Sequence, residues 1–282
     1  MKALFWQEVT MDYENIIYEK QDRIARITMN RDDNMNALGR ELETDLYHAL
    51  EDAGADDDIR VVILKGNGRA FSAGAALGGG GTGSAPTSMK FRLGIEQMRH
   101  RFFKIWDLPK PVIAQVHGYA LANGSVLALI CDLTIAADDA LFGGAQAPLG
   151  AGAVSPIWLW NIGMKKTKEY FLPIGNRVTG KEAERIGLIN KAVPADKLEE
   201  EVNTTAQYIA RTPLEILALQ KLTVNRIMEF MGLRASMLIG SEIDTVCHTT
   251  EAVNKFGARM REVGISAAMK EWRGNTGPLA GL

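Results

Sequence analysis

The chain has 282 residues, 46% of them hydrophobic, and its 32 Lys and Arg against 34 Asp and Glu leave a formal net charge of -2. Such a chain buries a full core as one large domain, or as one domain with an appendage. The charge excludes the basic stripe of a nucleic-acid surface, and no apolar run reaches the length of a membrane span. Two cysteines build no disulfide framework; Cys131 lies in an apolar run and reads as a buried thiol, which suits a reducing, cytoplasmic compartment. Met1 to Trp6 holds too short an apolar stretch for a signal peptide.

Tyr13 to Glu19 and Ile24 to Met29 read as paired strands, with Lys20 to Arg23 as the hairpin. After a polar loop, Leu38, Leu42, Leu46, Leu50 and Ala53 recur at helical spacing over Ala37 to Ala53. Asp56 to Asp58 is an acidic turn before a strand over Ile59 to Leu64; metal binding there would need ligands converging from elsewhere, and none is indicated. Phe71 to Ala75 is a bend of small residues, and Gly78 to Pro86 is rich in glycine without the Gly-Lys-Ser/Thr ending of a phosphate loop. Met89 to Trp106 is helical in pattern.

Lys110 to Gly150 organises the rest. A short buried strand, Pro111 to Ala114, runs through His117-Gly118 into a second small-residue turn, Ala122 to Ser125, and then an apolar helix, Val126 to Cys131. Such a turn presents unpaired backbone N–H groups at the helix start, a ready anion site that close packing alone would also explain. Leu133 to Ala137 and Ala140 to Gly144 read as further strands, and Ile157 to Leu172 as a helix. After Pro194 the pattern is wholly helical, over 197–212, 213–230, 232–250, 251–260 and 265–272. This divides the chain into a core, 1–194, and a helical region, 195–282.

The two bends together resemble the two oxyanion-hole segments of the crotonase (enoyl-CoA hydratase/isomerase) superfamily. The resemblance runs from about Tyr13 to about Trp272 and includes Asn30-Arg31, Asn36-Ala37-Leu38, Lys110 to Ala114, Cys131-Asp132, and Thr179 to Ala183 with Gly187 to Asn190. It implies an α/β fold, a crotonase-like ββα superhelix core with a C-terminal helical trimerisation region, assembled as a homotrimer or as a hexamer of two trimers. It implies an acyl-CoA substrate, with CoA as part of that substrate and no separate cofactor or metal.

Crotonase enzymes use two backbone N–H groups to bind the thioester oxygen and stabilise an enolate. The resemblance places these donors at Ala75 and Asn123, where Asn tolerates unusual backbone angles better than most residues. Arg31 and Ala37 fall in the loop that lines the CoA nucleotide in the family. Ser72, Ala73, Ala76, Leu77 and Ser125 fall around the acyl thioester, and the glycine-rich stretch forms a pocket wall or lid. The two glutamates that activate water in hydratases are replaced by Val126 and Gln146; valine moves no proton, and an amide is not a practical base. Ser125 and Ser155 are candidate pocket hydroxyls without an evident base. His117 reads as strand packing. His248 and Glu242 could reach a site in the same or a neighbouring subunit, although a lone helical His is more often surface or satisfied core. Three readings follow: an enoyl-CoA hydratase/isomerase relative with altered acid–base residues; a CoA-thioester or β-diketone hydrolase, or an isomerase, using other side chains; or a catalytically silent or engineered form that only binds acyl-CoA.

Overall fold

A computed structural model describes residues 7–8, 13–76, 88–144, 155–173 and 176–277. The short β1 (Gln7–Glu8) pairs antiparallel with β2 (Ile16–Gln21), and β2 pairs with β3 (Ile24–Met29) through a tight turn at Asp22 and Arg23, both at positive φ. Outward-facing β2 buries Ile16 and Tyr18 only, whereas β3 is buried along its whole length because helices cover both of its faces. One of them is α1 (Arg40–Ala55), which turns Leu42, Leu46, Leu50 and Ala53 inward at the expected spacing. It starts three residues later than the sequence pattern suggests, because the backbone of Leu38 is bonded across to Gly74 and Ala76.

Three strand pairs, each followed by a helix, come next. They are β4 (Val61–Gly66) and β5 (Ala70–Ser72) with α2 (Ser88–Asp107), β6 (Val112–Val116) and β7 (Tyr119–Leu121) with α3 (Asn123–Leu129), and β8 (Leu133–Ala137) and β9 (Leu141–Gly143) with α4 (Pro156–Phe171). The longer strands extend one parallel sheet in the order β3-β4-β6-β8. The three-residue strands build a second sheet, also parallel, in the order β9-β7-β5. This repeating ββα unit is the expected superhelix core, and it stacks the two bends that follow β5 and β7 side by side. Helix α4 departs from the expected single rod: Gly163, at φ 70 and ψ 172, breaks it, and Phe171 folds back onto Trp158 with ring centroids 5.3 Å apart.

Strand β10 (Val178–Thr179) pairs with β9, helix α5 (Gly180–Arg185) follows, and β11 (Lys191–Val193) closes the large sheet against β8. Among the described residues only helices follow Pro194. Of these, α6 (Leu198–Ala210) seats Val202 and Ala206 in the main core, so it belongs to the packed body of the sheet. Helices α7 (Leu214–Phe230) and α8 (Leu233–His248) continue outward, and α8 packs on α2 and α4. Helices α9 (Glu251–Val263) and α10 (Ile265–Arg273) share a small cluster of their own around Phe256, Met269 and Trp272. Among the described residues no helix is long and apolar enough to cross a membrane.

Candidate active site

The first bend is held from below by polar side chains. Asn36 is fully buried; its Oδ1 accepts from Arg31 N at 2.8 Å, and its Nδ2 donates to Asn67 O at 2.9 Å and Ala70 O at 2.8 Å. Ser72 is also fully buried, donating to Asn36 O at 2.8 Å and accepting from Gly74 N at 3.2 Å. Above them Ala73 N donates to Met35 O, Leu38 N to Gly74 O at 2.7 Å, and Ala76 N to Leu38 O at 3.0 Å. In a parallel pairing of this kind the intervening residue turns its own N–H to the opposite side. That residue is Ala75, and both Ala75 and Ala76 are exposed.

The second bend carries stored strain. Ala122 sits at φ 49 and ψ -122, a region natural to glycine and costing an alanine about 1–3 kcal/mol. The surroundings hold it there. Its N–H donates to Gly143 O at 2.8 Å, while its carbonyl accepts from Ser125 N, Val126 N and, at 2.8 Å, Ser125 Oγ. The result is that Asn123 opens α3 in a helical conformation with its N–H outside the helix ladder. The unusual angles expected at Asn123 therefore fall one residue earlier, at Ala122. Helix α3 has only seven residues, so individual N–H groups, rather than a long helix dipole, set the polarity of the turn.

The two bends touch. A Cβ built on Gly74, at φ 98, would lie 2.7 Å from Leu121 O and 3.2 Å from Asn123 N; one built on Gly124 would collide with Ser72 O. Only hydrogen fits at either position. Backbone thus meets backbone, and among the described residues no acceptor takes the N–H of Ala75 or Asn123. Asn123 N thus lies beside Gly74, the residue before the exposed Ala75.

The sequence profile of the enoyl-CoA hydratase/isomerase family matches residues 19–257. The chain belongs to the enoyl-CoA hydratase/isomerase family. It is 36% identical over 252 residues to EchA13 of Mycobacterium tuberculosis, named as an enoyl-CoA hydratase, covering 80% of this chain and 78% of that protein. The crystal structure of an enoyl-CoA hydratase/isomerase from Xanthobacter autotrophicus Py2 superposes with a TM-score of 0.87 at 33% identity, covering 93% of this chain and 98% of that one. An enoyl-CoA hydratase from Mycobacterium smegmatis gives a TM-score of 0.84 at 26% identity, covering 96% and 100%.

Within this enoyl-CoA hydratase/isomerase fold the remaining site residues fall as follows. Val126 is 2% exposed and packs in the main core from α3. Gln146 and Leu77 lie outside the described residues, as does the glycine-rich stretch. Ser125 is fully buried, and its hydroxyl is engaged inward, accepting from Trp158 Nε1 at 3.2 Å as well as donating to Ala122 O; it braces the turn. Arg31 is half-buried and ties the loop together through Asn15 Oδ1 at 2.9 Å and Asp33 at 3.2 Å, and its pairing with Asp33 raises its pKa further. Ala37 N is bonded to Asn34 Oδ1. His117 Nε2 meets Gly68 O at 2.7 Å and supports the first bend. His248 Nδ1 meets Asp244 O at 2.8 Å on its own helix. Among the described residues no cluster of His, Cys, Asp or Glu has the makings of a metal site.

The sequence reading assigned no role at the site to Ala122, Asn36 or Met98. Met98 Sδ accepts from Asn123 Nδ2 at 3.1 Å, which sets α2 directly over the second bend. The signal for Asn36 was present: Asn after Met35 in a polar loop suits the left-handed conformation that both residues adopt.

Proposed function

We propose that this family member binds an acyl-CoA thioester where its two bends meet, with the N–H groups of Ala75 and Asn123 holding the thioester oxygen. The observation that carries the reading is the contact of Gly74 with Asn123 N beside the turned-out N–H of Ala75. Two fixed donors aimed at one oxygen stabilise the negative charge that an enolate develops there, each typically worth about 2.7–4 kcal/mol in oxyanion-hole mutagenesis. Ser72, Ala73 and Ala76 shape the first bend around the thioester, Ser125 the second, and Arg31 and Ala37 lie in the loop that would meet the CoA nucleotide.

Water activation is a different matter. With Val126 and Gln146 at the two glutamate positions, no carboxylate is placed there to take a proton from water or return one to the α-carbon. The chain therefore hydrates enoyl thioesters poorly, and turnover on other thioesters or β-diketones uses other side chains. A form that only binds is the remaining outcome of the same test. CoA enters as part of the substrate. The buried thiol of Cys131, whose pKa burial pushes up, and the free Cys247 suit a cytoplasmic setting.

The helical region supports self-assembly as a trimer or a pair of trimers. Helix α7 exposes Leu219, Leu222, Val224, Ile227 and Phe230, and α8 exposes Ile239, Ile243 and Val246. Contiguous apolar surface of this kind marks an interface, and closed symmetry is its usual form.

Calorimetry with a thioether analogue of an acyl-CoA tests the binding claim. Saturable heat is expected, and Gly74→Ala, whose new methyl would crowd Asn123 N, should weaken it at least tenfold. Absence of binding across several acyl lengths would overturn the proposal.

A further inference from the structure

A groove of about 550 Å³ runs beside α7 where that helix meets the end of α2. Its apolar walls are Trp106, Leu108, Pro109, Leu219 and Leu222. Each polar side chain that also lines it already has a partner. Lys221 Nζ donates to Asp132, Ile105 O and Lys110 O, and Asn225 Nδ2 to Trp106 O. Trp106 Nε1 donates to Glu229 Oε1 at 3.2 Å. Arg234 pairs with Asp107 at 2.7 Å and with Glu229, and Arg226 lies 3.7 Å from Glu229. Two arginines thus face two carboxylates, and the rim carries no net charge. Small-molecule sites set a few precisely placed polar groups among their apolar walls to orient what they hold. Here the polar groups are spent on one another, so the groove suits an apolar, uncharged occupant.

A group of that kind stands at the end of the same helix. Phe230, the last residue of α7, is 94% exposed at the corner where Gly232, at φ 105, turns the chain into α8. It follows Glu229, which lines the groove, yet its exposure places the phenyl outside that groove. A phenyl left in water forgoes the burial of about 150–250 Å² that an aromatic side chain usually gains. The exposed Leu219 and Ile227 carry apolar surface along the helix between groove and phenyl.

Resting on the self-assembly reading above, we propose that Phe230 of each copy seats in the groove of the next. A second copy is the occupant because it accounts for both features at once: every chain brings one phenyl and one groove. A small apolar ligand or a foreign protein in the groove leaves Phe230 in water. Phenyl and groove are different patches of one chain, so the contact is head-to-tail, and such contacts close into a cycle when the rotation between copies allows it. A closed cycle leaves no groove empty and no Phe230 exposed, in keeping with a trimer. An aromatic anchor in an apolar pocket is the usual energetic centre of an interface.

The test uses the full chain with Cys247→Ser, which removes the half-buried native thiol, and adds Phe230→Cys and Leu222→Cys singly and together. The two positions are eight residues apart on α7, about 12 Å, too far for a disulfide within one chain. Under mild oxidation the double variant should become largely covalent oligomers on a non-reducing gel, while each single variant stays uncross-linked. Separately, Phe230→Ala should weaken assembly about tenfold or more in light scattering over a dilution series. Cross-linking of either single variant to itself shows like-to-like packing and overturns the inference while leaving self-assembly intact. Unchanged assembly of Phe230→Ala overturns it in the same way, as does the absence of any cross-link in a double variant that still assembles. An unmodified protein that is monomeric throughout overturns both readings.

Discussion

Helices α3 and α7 use their surfaces in opposite ways. Helix α3 is short, and from Gly124 to Leu129 every residue is buried; its strained entry at Ala122 is held by a hydrogen bond donated to Gly143 O of β9 and by those it accepts from Ser125. Helix α7 is 17 residues long, and its buried positions, Leu217, Lys221 and Asn225, include two polar side chains, while Phe230 is 94% exposed. The apolar residues of α7 largely face outward, and its polar ones are tied in. Lys221 Nζ donates to Asp132 Oδ2 at 2.7 Å, Ile105 O at 3.0 Å and Lys110 O at 3.1 Å, and Asn225 donates to Trp106 O at 2.7 Å. The difference teaches that the bends close through bonds within one chain, whereas α7 is anchored by polar bonds and leaves its apolar face exposed.

The largest effect should come from that outer face. Leu219→Glu with Ile227→Glu should convert the assembled protein to a monomer in light scattering while leaving far-ultraviolet circular dichroism unchanged. An unmodified protein that is already monomeric at micromolar concentration would remove the contrast altogether. Next is the anchor. Lys221→Met leaves the Asp132 carboxylate, whose pKa burial raises against the pull of Lys221, without its cation. About 3–5 kcal/mol of stability should be lost in urea unfolding, the usual cost of breaking a buried pair from one side. A smaller change is expected at the second bend. Ser125→Ala removes the bond to Ala122 O and leaves Trp158 Nε1 without its acceptor, for about 1–2 kcal/mol and a weaker thioester complex. Loss of stability with unchanged binding would separate the brace from the site.

The elements with strong periodicity were legible in the sequence: α1 from its leucines, β8 to the residue, and the wholly helical stretch after Pro194. The kink at Gly163 was hidden inside a continuous apolar pattern, and strands of three residues such as β5 and β7 are too short to show a period. Arg99 and Lys221 are charges on amphipathic helices whose burial no local pattern shows; it comes from tertiary contacts, with Ser241 of α8 for Arg99 and with Ile105, Lys110 and Asp132 for Lys221. At the candidate site the resemblance supplied Ala75 and Asn123. The strain at Ala122 left no trace, since alanine is compatible with almost any local reading and only the closure of the turn forces its angles.

The proposed site keeps its oxyanion donors and lacks its hydration carboxylates, and the loss of enoyl-thioester absorbance on adding crotonyl-CoA tests this proposal directly. The unmodified protein should change the absorbance barely faster than buffer. Val126→Glu together with Gln146→Glu should accelerate it, since general acid–base catalysis typically contributes about 10²–10⁴-fold, with a melting curve to show that the introduced carboxylates have not unfolded the core. Hydration by the unmodified protein at ordinary enzyme rates would contradict the account, because some other residue would then be supplying the base.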